Sequence, residues 1–341
     1  MHTLLITGGA GFIGSNFTRM MLERHPAGIS VVVYDKLTYA GNLNNLADMV
    51  DRFGARYAFV QGDIADPDAV DDAVRTHGVD TIVNFAAATH VDRSILSAQD
   101  FIRTDVEGTR ALLEAARTHG IERYLQVSTD EVYGEVLQGA ARETDPLQPR
   151  NPYSATKAGG DMMALAYFHT YGLPVLITRG CNTFGPYQYP EKFIPLFVTN
   201  AIEDRPLPLY GDGRQVREWI HVLDHCSAIE TVLASGESGE VYNVGTGQHR
   251  ENIDVARLML KELGKSESLI QRVQDRPGHD RRYAVDAAKL RLLGWRPESG
   301  FEEALVETVR WYRDHPEWWR PLKSGEYLEY YQRQYGERSK L

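Results

Sequence analysis

The feature that most constrains the fold stands at the start of the chain, where an apolar run leads directly into a cluster of glycines. Thr3–Thr7 is followed by Gly8, Gly11 and Gly14, which recur every third residue at the start of a helical pattern. The first glycine permits a tight turn, the second lets the backbone approach a pyrophosphate, and the third lets helix and strand pack closely. The helix N-terminus then favours an anion. Because the chain has 30 glycines, this pattern predicts a dinucleotide site only together with its context.

Short apolar runs alternate with longer helical patterns through the first half of the chain. The runs are rich in Val, Ile, Leu and aromatic residues, which is typical of strands buried in a parallel sheet. The segments between them carry apolar residues at helical spacing. We therefore predict an α/β fold, a Rossmann-type doubly wound parallel sheet. The predicted strands are residues 3–7, 30–34, 57–61, 81–85, 124–128 and 175–178, and the predicted helices are residues 11–24, 66–77, 101–119 and 153–171.

The composition of the chain changes after about residue 185, where closely spaced prolines exclude a single regular helix or strand. We expect residues 1–184, joined by part of residues 215–250, to form the dinucleotide-binding domain. Residues 185–341 are expected to form mainly a smaller C-terminal substrate-binding region. Large rings at irregular spacing near the C-terminus are interpreted as packing residues. They are Trp318, Trp319, Tyr327, Tyr330 and Tyr331.

The composition argues against several classes of protein. The formal net charge of −10 removes the electrostatic basis for nonspecific nucleic-acid binding. Cys181 and Cys226 are too few for a disulfide framework, and no Cys/His cluster has the spacing of a zinc site. No run of about 18 apolar residues could span a membrane, and residues 2–7 lack the basic leader of an export signal. We expect a cytoplasmic protein with no metal, no nucleic-acid partner and no membrane partner.

An acid follows the second predicted strand at the distance that a dinucleotide site requires. Asp35 lies 21 residues beyond Gly14, where an acid hydrogen-bonds the adenosine ribose. Its charge disfavours a 2′-phosphate, so we predict NAD rather than NADP as the cofactor, although Lys36 beside it softens this preference. Asp63 and Ile64 close the third predicted strand and are either adenine contacts or structural residues. The candidate cofactor residues in the glycine turn are Gly8, Gly11, Phe12, Ile13 and Gly14.

Two groups of side chains have the composition of acid–base sites. Tyr153 and Lys157 lie four residues apart, hence on one face of a predicted helix, where a Lys and a nicotinamide cation favour a phenolate. Lys157 is also a candidate to hold the nicotinamide ribose. Thr129, Asp130 and Glu131 follow a predicted strand at the carboxyl edge of the sheet, where such folds bind ligands. Both acids reach one cavity only where the strand gives way to a turn; otherwise they form a solvated face.

Nine motifs extend over nearly the whole chain: TGGAGFIGSN, YDKLTYAGNL, HVDRS, STDEVYG, NPYSATKAG, GPYQYPEKFIP, LYGDGRQVREW, DRPGHDRRYA and SGEY. With them the sequence resembles the extended short-chain dehydrogenase/reductase superfamily and, within it, the dTDP-glucose 4,6-dehydratase family. The resemblance implies an NAD-dependent lyase of deoxysugar biosynthesis that acts on a nucleotide-hexose, with dTDP-glucose as the first substrate to test.

The resemblance also implies a reaction sequence for the candidate residues. Tyr153 as a phenolate takes the C4 hydroxyl proton while hydride passes from C4 to NAD, and Thr129 hydrogen-bonds the same oxygen. Glu131 then removes the acidified C5 proton, and a protonated Asp130 donates to the departing C6 hydroxyl. Hydride returns to C6 and Glu131 reprotonates C5, which gives a 4-keto-6-deoxy sugar.

For the substrate, the resemblance implies that Arg217 pairs with the diphosphate near Asn252, since an Arg fork suits a phosphate. It implies further that Tyr210 stacks on thymine and that Lys192 contacts the nucleotide. Arg276 and His279 are further candidates to contact the substrate. Arg281 and Arg282 are as consistent with a solvent-exposed or dimer-facing segment as with substrate contacts. The remaining candidate substrate residues are His90 and Asn182.

The chain departs from the family pattern at two places. Ala88 replaces an expected carboxylate, and Thr183 replaces an expected asparagine that would touch the diphosphate. Neither residue belongs to the acid–base groups. The departures therefore concern which nucleotide and hexose are preferred, and they leave the predicted reaction type unchanged.

Two alternative functions fit part of the sequence. A UDP-hexose 4-epimerase uses the same glycine turn and Tyr/Lys pair but does not need two adjacent acids. A catalytically silent NAD-binding scaffold also fits the fold. The resemblance implies a homodimer formed through helices near residues 101–119 and 153–171, although apolar helix faces there fit a buried core equally well.

Overall fold

The computed structural model describes residues 1–336, which contain twelve strands. They are β1 (Thr3–Thr7), β2 (Ser30–Asp35), β3 (Tyr57–Gln61), β4 (Thr81–Asn84), β5 (Arg123–Thr129), β6 (Val175–Gly180), β7 (Asn182–Phe184), β8 (Leu207–Tyr210), β9 (Val216–His221), β10 (Val241–Val244), β11 (His249–Glu251) and β12 (Ile270–Val273). Seven of them form one parallel sheet in the order β3-β2-β1-β4-β5-β6-β10. The sequence runs outward from β1 to one edge and then from β4 to the other, so the predicted doubly wound α/β fold is confirmed.

Fourteen α-helices are described in the same part of the chain. They are α1 (Phe12–Arg24), α2 (Met49–Phe53), α3 (Pro67–His77), α4 (Val91–Leu96), α5 (Gln99–Phe101), α6 (Thr109–His119), α7 (Pro152–Tyr171), α8 (Phe193–Ile202), α9 (Val222–Ser235), α10 (Asn252–Leu263), α11 (Ala288–Leu292), α12 (Phe301–Asp314), α13 (Pro316–Trp319) and α14 (Glu326–Tyr331). No helix within residues 1–336 is long and apolar enough to cross a membrane.

Helices cover both faces of the large sheet because alternate residues of each strand point to opposite sides. On one face, Leu4 and Ile6 of β1 pack in a core with residues of α1 and α9. On the other face, Leu5 packs in a second core with residues of α3, α6 and α7. The carboxyl ends of the strands remain as the edge at which a ligand can enter.

The chain after Phe184 contributes to two small sheets and to a third core. β7 pairs with β9 and β9 pairs with β11, while β8 pairs with β12. Residues of α8, α10 and α12 surround Trp219 and Trp319 in the third core. β10 returns to the edge of the large sheet, where it pairs with β6.

The predicted helix over residues 101–119 differs from the observed one. Ile102–Gly108 is a π-helical segment that joins α5 to α6. An added Cβ at Gly108 would lie 2.6 Å from Ile64, and one at Gly160 would lie 2.9 Å from the Asp105 carbonyl oxygen. The π-helical segment is therefore closely packed against both Ile64 and α7. The spacing of apolar residues in the sequence predicts a helix here but does not distinguish a π-helical segment from an α-helix.

A buried ion pair joins α7 to β6 and supports a prediction about stability. Arg179 Nε lies 2.9 Å from Asp161 Oδ2, and both side chains are buried. We expect Asp161→Ala to lower the free energy of unfolding by about 3–5 kcal/mol, because the Arg179 charge would stay buried without its partner. Urea unfolding measures this difference. The matched control is Asp72→Ala, which removes the exposed pair with Arg75 and should cost at most about 1 kcal/mol; an equally small loss for Asp161→Ala would contradict the prediction.

Candidate functional site

A cavity of about 1040 Å³ lies along the carboxyl ends of the parallel strands. The structure places every candidate site residue from the sequence in its lining. The catalytic candidates there are Thr129, Asp130, Glu131, Tyr153 and Lys157, the cofactor candidates are Gly8, Gly11, Phe12, Ile13, Gly14, Asp35, Lys36, Asp63 and Ile64, and the substrate candidates are His90, Asn182, Lys192, Tyr210, Arg217, Asn252, Arg276 and His279.

The glycine turn leaves no room for side chains at its first and last positions. Gly8 has a φ of +65°, and an added Cβ there would lie 2.7 Å from the Ala86 nitrogen. A Cβ at Gly14 would lie 2.4 Å from the Gly8 carbonyl oxygen. α1 begins directly after Gly11, so its first backbone N–H groups face the cavity edge where β1 ends. This cradle fits the phosphates of a dinucleotide.

Asp35 ends β2 and holds the turn residues in place. Its Oδ2 accepts a hydrogen bond from the Ala10 amide at 2.9 Å, and its Oδ1 accepts one from the Leu37 amide at 2.8 Å. Burial raises the pKa of the Asp35 carboxyl, and the two amide hydrogen bonds oppose this rise. The carboxylate therefore shapes the turn in addition to lining the cavity.

Lys36 does not face the cavity as an unopposed positive charge. Its ammonium lies 2.9 Å from Asp63 Oδ2, and the same oxygen accepts a hydrogen bond from Arg103 at 3.0 Å. Arg103 lines the cavity but was not found from the sequence, because it lies on a helical pattern with no motif of its own. Asp63 thus offsets part of the positive charge of both cations.

The start of α7 brings Tyr153 and Lys157 to the cavity. Asn151 caps the helix by accepting a hydrogen bond from the Ser154 amide, and Pro152 occupies the first turn. The Lys157 ammonium is buried and donates to the Val127 carbonyl at 2.7 Å. This bond ties the helix to β5, so that both side chains face the end of the strand.

Tyr153 is held as a neutral phenol by the residues around it. Burial raises the pKa of Tyr153 well above its usual value, and the charges of Glu131 and Asp105 raise it further, while a hydrogen bond with Thr129 lowers it. The sequence predicts that Lys157 and a nicotinamide cation favour a phenolate. The structure adds that nearby carboxylates and desolvation oppose it.

The two adjacent acids line the same cavity because β5 ends at Thr129 and a 3₁₀ turn begins at Asp130. Asp130 is buried, its Oδ1 accepts from the Thr129 hydroxyl at 3.3 Å, and its Oδ2 has no hydrogen-bond partner among the described residues. Burial, followed by the charges of Glu131 and Glu218, raises the pKa of Asp130 well above its usual value. Glu131 is less buried. The pair therefore combines a protonated acid with a neighbouring carboxyl that can accept a proton.

Several substrate candidates present polar groups to the other part of the cavity. The buried Oδ1 atoms of Asn182 and Asn252 have no hydrogen-bond partner among residues 1–336. The Arg217 guanidinium is buried, which lowers its pKa, and it donates to the carbonyls of Val216 and Asp280. Arg276 donates to Asp92 at 2.8 Å. Amide and guanidinium groups of this kind fit an anionic, hydrogen-bonding ligand.

Comparisons with known proteins show the family of the chain. A family model described as GDP-mannose 4,6 dehydratase matches residues 5–308. A dTDP-glucose 4,6-dehydratase of Streptomyces niveus is 52% identical over 94% of this chain and 96% of that protein. The chain belongs to the nucleotide-sugar 4,6-dehydratase family.

A solved structure supports membership of the dehydratase family as well. The dTDP-glucose 4,6-dehydratase DesIV from Streptomyces venezuelae, crystallised with NAD bound, has a TM-score of 0.91 and 51% sequence identity, covering 94% of this chain and all of that chain. A UDP-glucose 4-epimerase of Thermus thermophilus, also with NAD, is more distant, with 32% identity and a TM-score of 0.85 over 92% of this chain and all of that chain. The 4-epimerase alternative is therefore less well supported.

The two departures in this dehydratase have defined surroundings. The Ala88 amide donates to Asp105 Oδ1 at 3.2 Å, and the Thr183 hydroxyl lies 2.7 Å from His225 Nδ1. Burial raises the pKa of Asp105 to about 6 and lowers that of His225 to about 4. A carboxylate thus lies beside position 88 although the residue at that position is alanine.

The aromatic residues near the C-terminus of the dehydratase are divided between the third core and the cavity. Trp318, Trp319 and Tyr327 pack in the third core, as the sequence interpretation expects. Tyr330 and Tyr335 line the cavity, where the Tyr330 hydroxyl lies 3.5 Å from His90 Nδ1. The spacing of the aromatic residues in the sequence does not predict which of them line the cavity. Their position depends on how the C-terminal segment packs against the rest of the chain.

Arg281 and Arg282 lie outside the cavity lining and have protein partners. Arg281 forms an ion pair with Asp212 at 2.8 Å, and Arg282 donates to the carbonyls of Val136 and Gly139. Among residues 1–336, no group of three or more His, Cys, Asp or Glu side chains could hold a metal ion.

Proposed function

We propose that this chain converts dTDP-glucose to its 4-keto-6-deoxy product with NAD as a resident cofactor. The observation that carries the proposal is the placement of Asp130 and Glu131 beside Tyr153 in the cavity that begins at the glycine turn. Adjacent acids can serve neighbouring carbons of one sugar ring at the same time. The relatives' names and the NAD bound to DesIV support this choice of reaction.

The glycine turn between β1 and α1, the end of β2 and the start of α7 would hold the cofactor. The glycine turn fits a pyrophosphate, Asp35 would bind the adenosine ribose, and Lys157 would hold the nicotinamide ribose. Asp63, Ile64, Phe12 and Ile13 complete the lining. When bound, the nicotinamide supplies reversible two-electron chemistry and, in its oxidised form, a positive charge.

Tyr153 accepts the proton of the sugar C4 hydroxyl. Its own surroundings keep the phenol neutral, so it becomes a base only when positive charge offsets the effect of burial and of Glu131. Lys157 would supply part of that charge, and a bound nicotinamide in its oxidised form would supply the rest. Thr129 hydrogen-bonds the phenol and the reacting oxygen, and so aligns the proton transfer.

Glu131 and Asp130 carry out the loss of water from the resulting 4-keto sugar. Glu131 takes the C5 proton, and Asp130, protonated because it is buried beside another carboxyl, donates its proton to the departing C6 hydroxyl. Glu131 later returns a proton to C5. The reaction balances, because the C4 hydrogen ends at C6, one water leaves, and the proton that Tyr153 took from the C4 hydroxyl makes up for the one that Asp130 gave to the departing water.

The Arg- and Asn-containing part of the cavity holds the nucleotide diphosphate. Arg217, Asn252 and Asn182 offer guanidinium and amide groups there, and Tyr210 with Lys192 is assigned to the base. Arg276, His279 and His90 surround the same part of the cavity. Residues 1–184, joined by α9 and β10 from within residues 215–250, would then form the NAD-binding domain, and the remainder would form mainly the sugar-nucleotide domain.

An assay with dTDP-glucose tests the proposed function. The expected product has lost one water and gives the absorbance of a 4-keto-6-deoxy sugar in alkali, whereas unchanged or epimerised sugar would defeat the proposal. The same assay with UDP-, GDP- and CDP-glucose tests the preference for thymine. A preference for one of these would overturn the assignment of the base and leave the reaction type intact.

The charge of Asp35 supports a prediction about cofactor preference. In Asp35→Asn the amide oxygen keeps one backbone hydrogen bond, but the charge that repels a 2′-phosphate is lost. We expect the ratio of the NADP to the NAD dissociation constant to fall about tenfold or more. Calorimetric titration of the purified protein measures both constants. Asp48→Asn, which removes an acid outside the cavity, is the control and should leave the ratio unchanged.

We also propose a homodimer in the cytoplasm. The helical region over residues 99–119 and α7 pack together and leave Ile102 and Met162 about half exposed, which is consistent with an interface between two copies. Cys181 and Cys226 are buried free thiols, in keeping with a reducing compartment. Light scattering at several protein concentrations tests the dimer.

A further inference from the structure

Tyr283 joins the candidate base to a buried acid outside the cavity. Its hydroxyl lies 2.7 Å from Asp280 Oδ2 and 3.4 Å from Glu131 Oε2. Both Tyr283 and Asp280 are buried, and Tyr283 lies in the cavity wall. Glu131 and Tyr283 are 152 residues apart in sequence, so no local motif indicates their contact.

The position of Tyr283 is fixed from several directions. The Arg217 guanidinium lies 4.4 Å from the centre of its ring. The neighbouring backbone is tied on both sides, because the Val216 amide donates to the Arg281 carbonyl and the Ala141 amide donates to the Ala284 carbonyl. These contacts hold the ring of Tyr283 where its hydroxyl lies beside Glu131.

Asp280 forms an ion pair with Arg150 on the side away from the cavity. Arg150 Nη1 lies 2.9 Å from Asp280 Oδ1 and 2.9 Å from Glu135 Oε2. Asp280 thus keeps Oδ1 toward Arg150 and Oδ2 toward Tyr283. This arrangement sets the direction of the Tyr283 hydroxyl hydrogen.

A tyrosine hydroxyl has one hydrogen to donate and lone pairs that accept. Asp280 is the nearer acceptor, so the hydrogen points to Asp280 and a lone pair faces Glu131. Burial and the charge of Glu131 raise the pKa of Tyr283, so the phenol keeps its proton. That lone pair can accept a hydrogen bond from Glu131 once Glu131 carries a proton.

We propose that Tyr283 is a positioning residue for Glu131, which holds the proton removed from C5 in place for its return. The proton passes from C5 to Glu131 Oε2, where it donates to the Tyr283 oxygen, and it later goes back to C5 with no net change. Tyr283 itself donates to Asp280 throughout. The inference rests on the proposed function, since it requires Glu131 to act as the C5 base.

Tyr283→Phe tests the inference, because it removes the hydroxyl and keeps the ring against Arg217. We expect binding of the nucleotide sugar to be unchanged and the loss of water to slow about tenfold, the effect of one hydrogen bond. Because C4 oxidation is unaffected, stopped-flow absorbance should show a larger steady-state fraction of reduced cofactor. Tyr242→Phe is the matched control, since its buried hydroxyl contacts the Glu237 amide outside the cavity. Wild-type turnover without extra reduced cofactor in Tyr283→Phe would overturn the inference.

Asp280→Asn provides a second test that keeps the size of every side chain. The Asn oxygen stays with Arg150, so its NH₂ group faces Tyr283 and turns the tyrosine hydrogen toward Glu131. That hydrogen stabilises the Glu131 carboxylate and weakens it as a base. We expect the same slow loss of water and the same accumulation of reduced cofactor, and wild-type behaviour would contradict the inference even if Tyr283→Phe does not fold.

Glu131→Gln separates the failure of this inference from that of the proposed function. If Glu131→Gln still eliminates water, the C5 base has been assigned wrongly. If Glu131→Gln is inactive and both the Tyr283 and the Asp280 variants behave as wild type, only the role of Tyr283 is wrong.

Discussion

Glu131→Gln should lower the rate of 4-keto-6-deoxy sugar formation by about a hundredfold to ten-thousandfold, the range typical of a lost general base. The amide has nearly the same shape as the carboxyl but cannot take the C5 proton. C4 oxidation needs only Tyr153, Thr129 and Lys157, so it should still occur. Rapid-quench analysis is expected to find the 4-keto hexose with its C6 hydroxyl still present, together with stable absorbance of reduced cofactor.

The control for this variant is Glu143→Gln. Glu143 accepts a hydrogen bond from the Asn243 amide and lies outside the large cavity, and a glutamine oxygen can keep that bond. Its turnover should match the wild type. Normal product formation by Glu131→Gln would remove Glu131 from the reaction.

Tyr153→Phe should prevent the reaction at its first step. The phenylalanine ring fills the same space beside Phe101 but has no oxygen to accept the C4 hydroxyl proton. We expect turnover to fall by about a hundredfold to ten-thousandfold, with no absorbance of reduced cofactor on addition of dTDP-glucose. The two large effects therefore differ in kind, since this variant stops before oxidation and Glu131→Gln stops after it.

Tyr167→Phe is the matched control for Tyr153→Phe. Tyr167 lies on the same helix, and its hydroxyl donates to Glu114 away from the cavity. It should retain normal turnover. If Tyr153→Phe still reduces the bound cofactor at the wild-type rate, another group accepts the C4 proton.

Much of the central sheet could be predicted from the sequence because its signals are local. Each predicted strand is an apolar run that corresponds to an observed strand, since strands buried on both faces need apolar side chains throughout. The run at residues 124–128 was too short at both ends. β5 extends from Arg123 to Thr129 because it pairs with strands on both sides, and cross-strand pairing depends on the tertiary fold.

The site could be predicted where its residues occur in short motifs, as in the glycine turn, the Tyr/Lys pair and the adjacent acids. What the sequence could not predict is contact between distant segments. The contact of Tyr283 with Glu131 and the fold of Tyr330 onto His90 bring together residues that are far apart in the chain. The pKa shifts of Asp130 and Tyr153 depend on burial in the cavity wall, which is likewise a property of the folded chain.

The most direct test of the central claim is the fate of the C4 hydrogen. If one active centre oxidises C4, removes water and reduces C6, dTDP-glucose labelled with deuterium at C4 should give a product with the label at C6. Mass spectrometry and NMR locate the deuterium. Label that appears in water, or that stays at C4 in a sugar that has lost no water, would contradict the account.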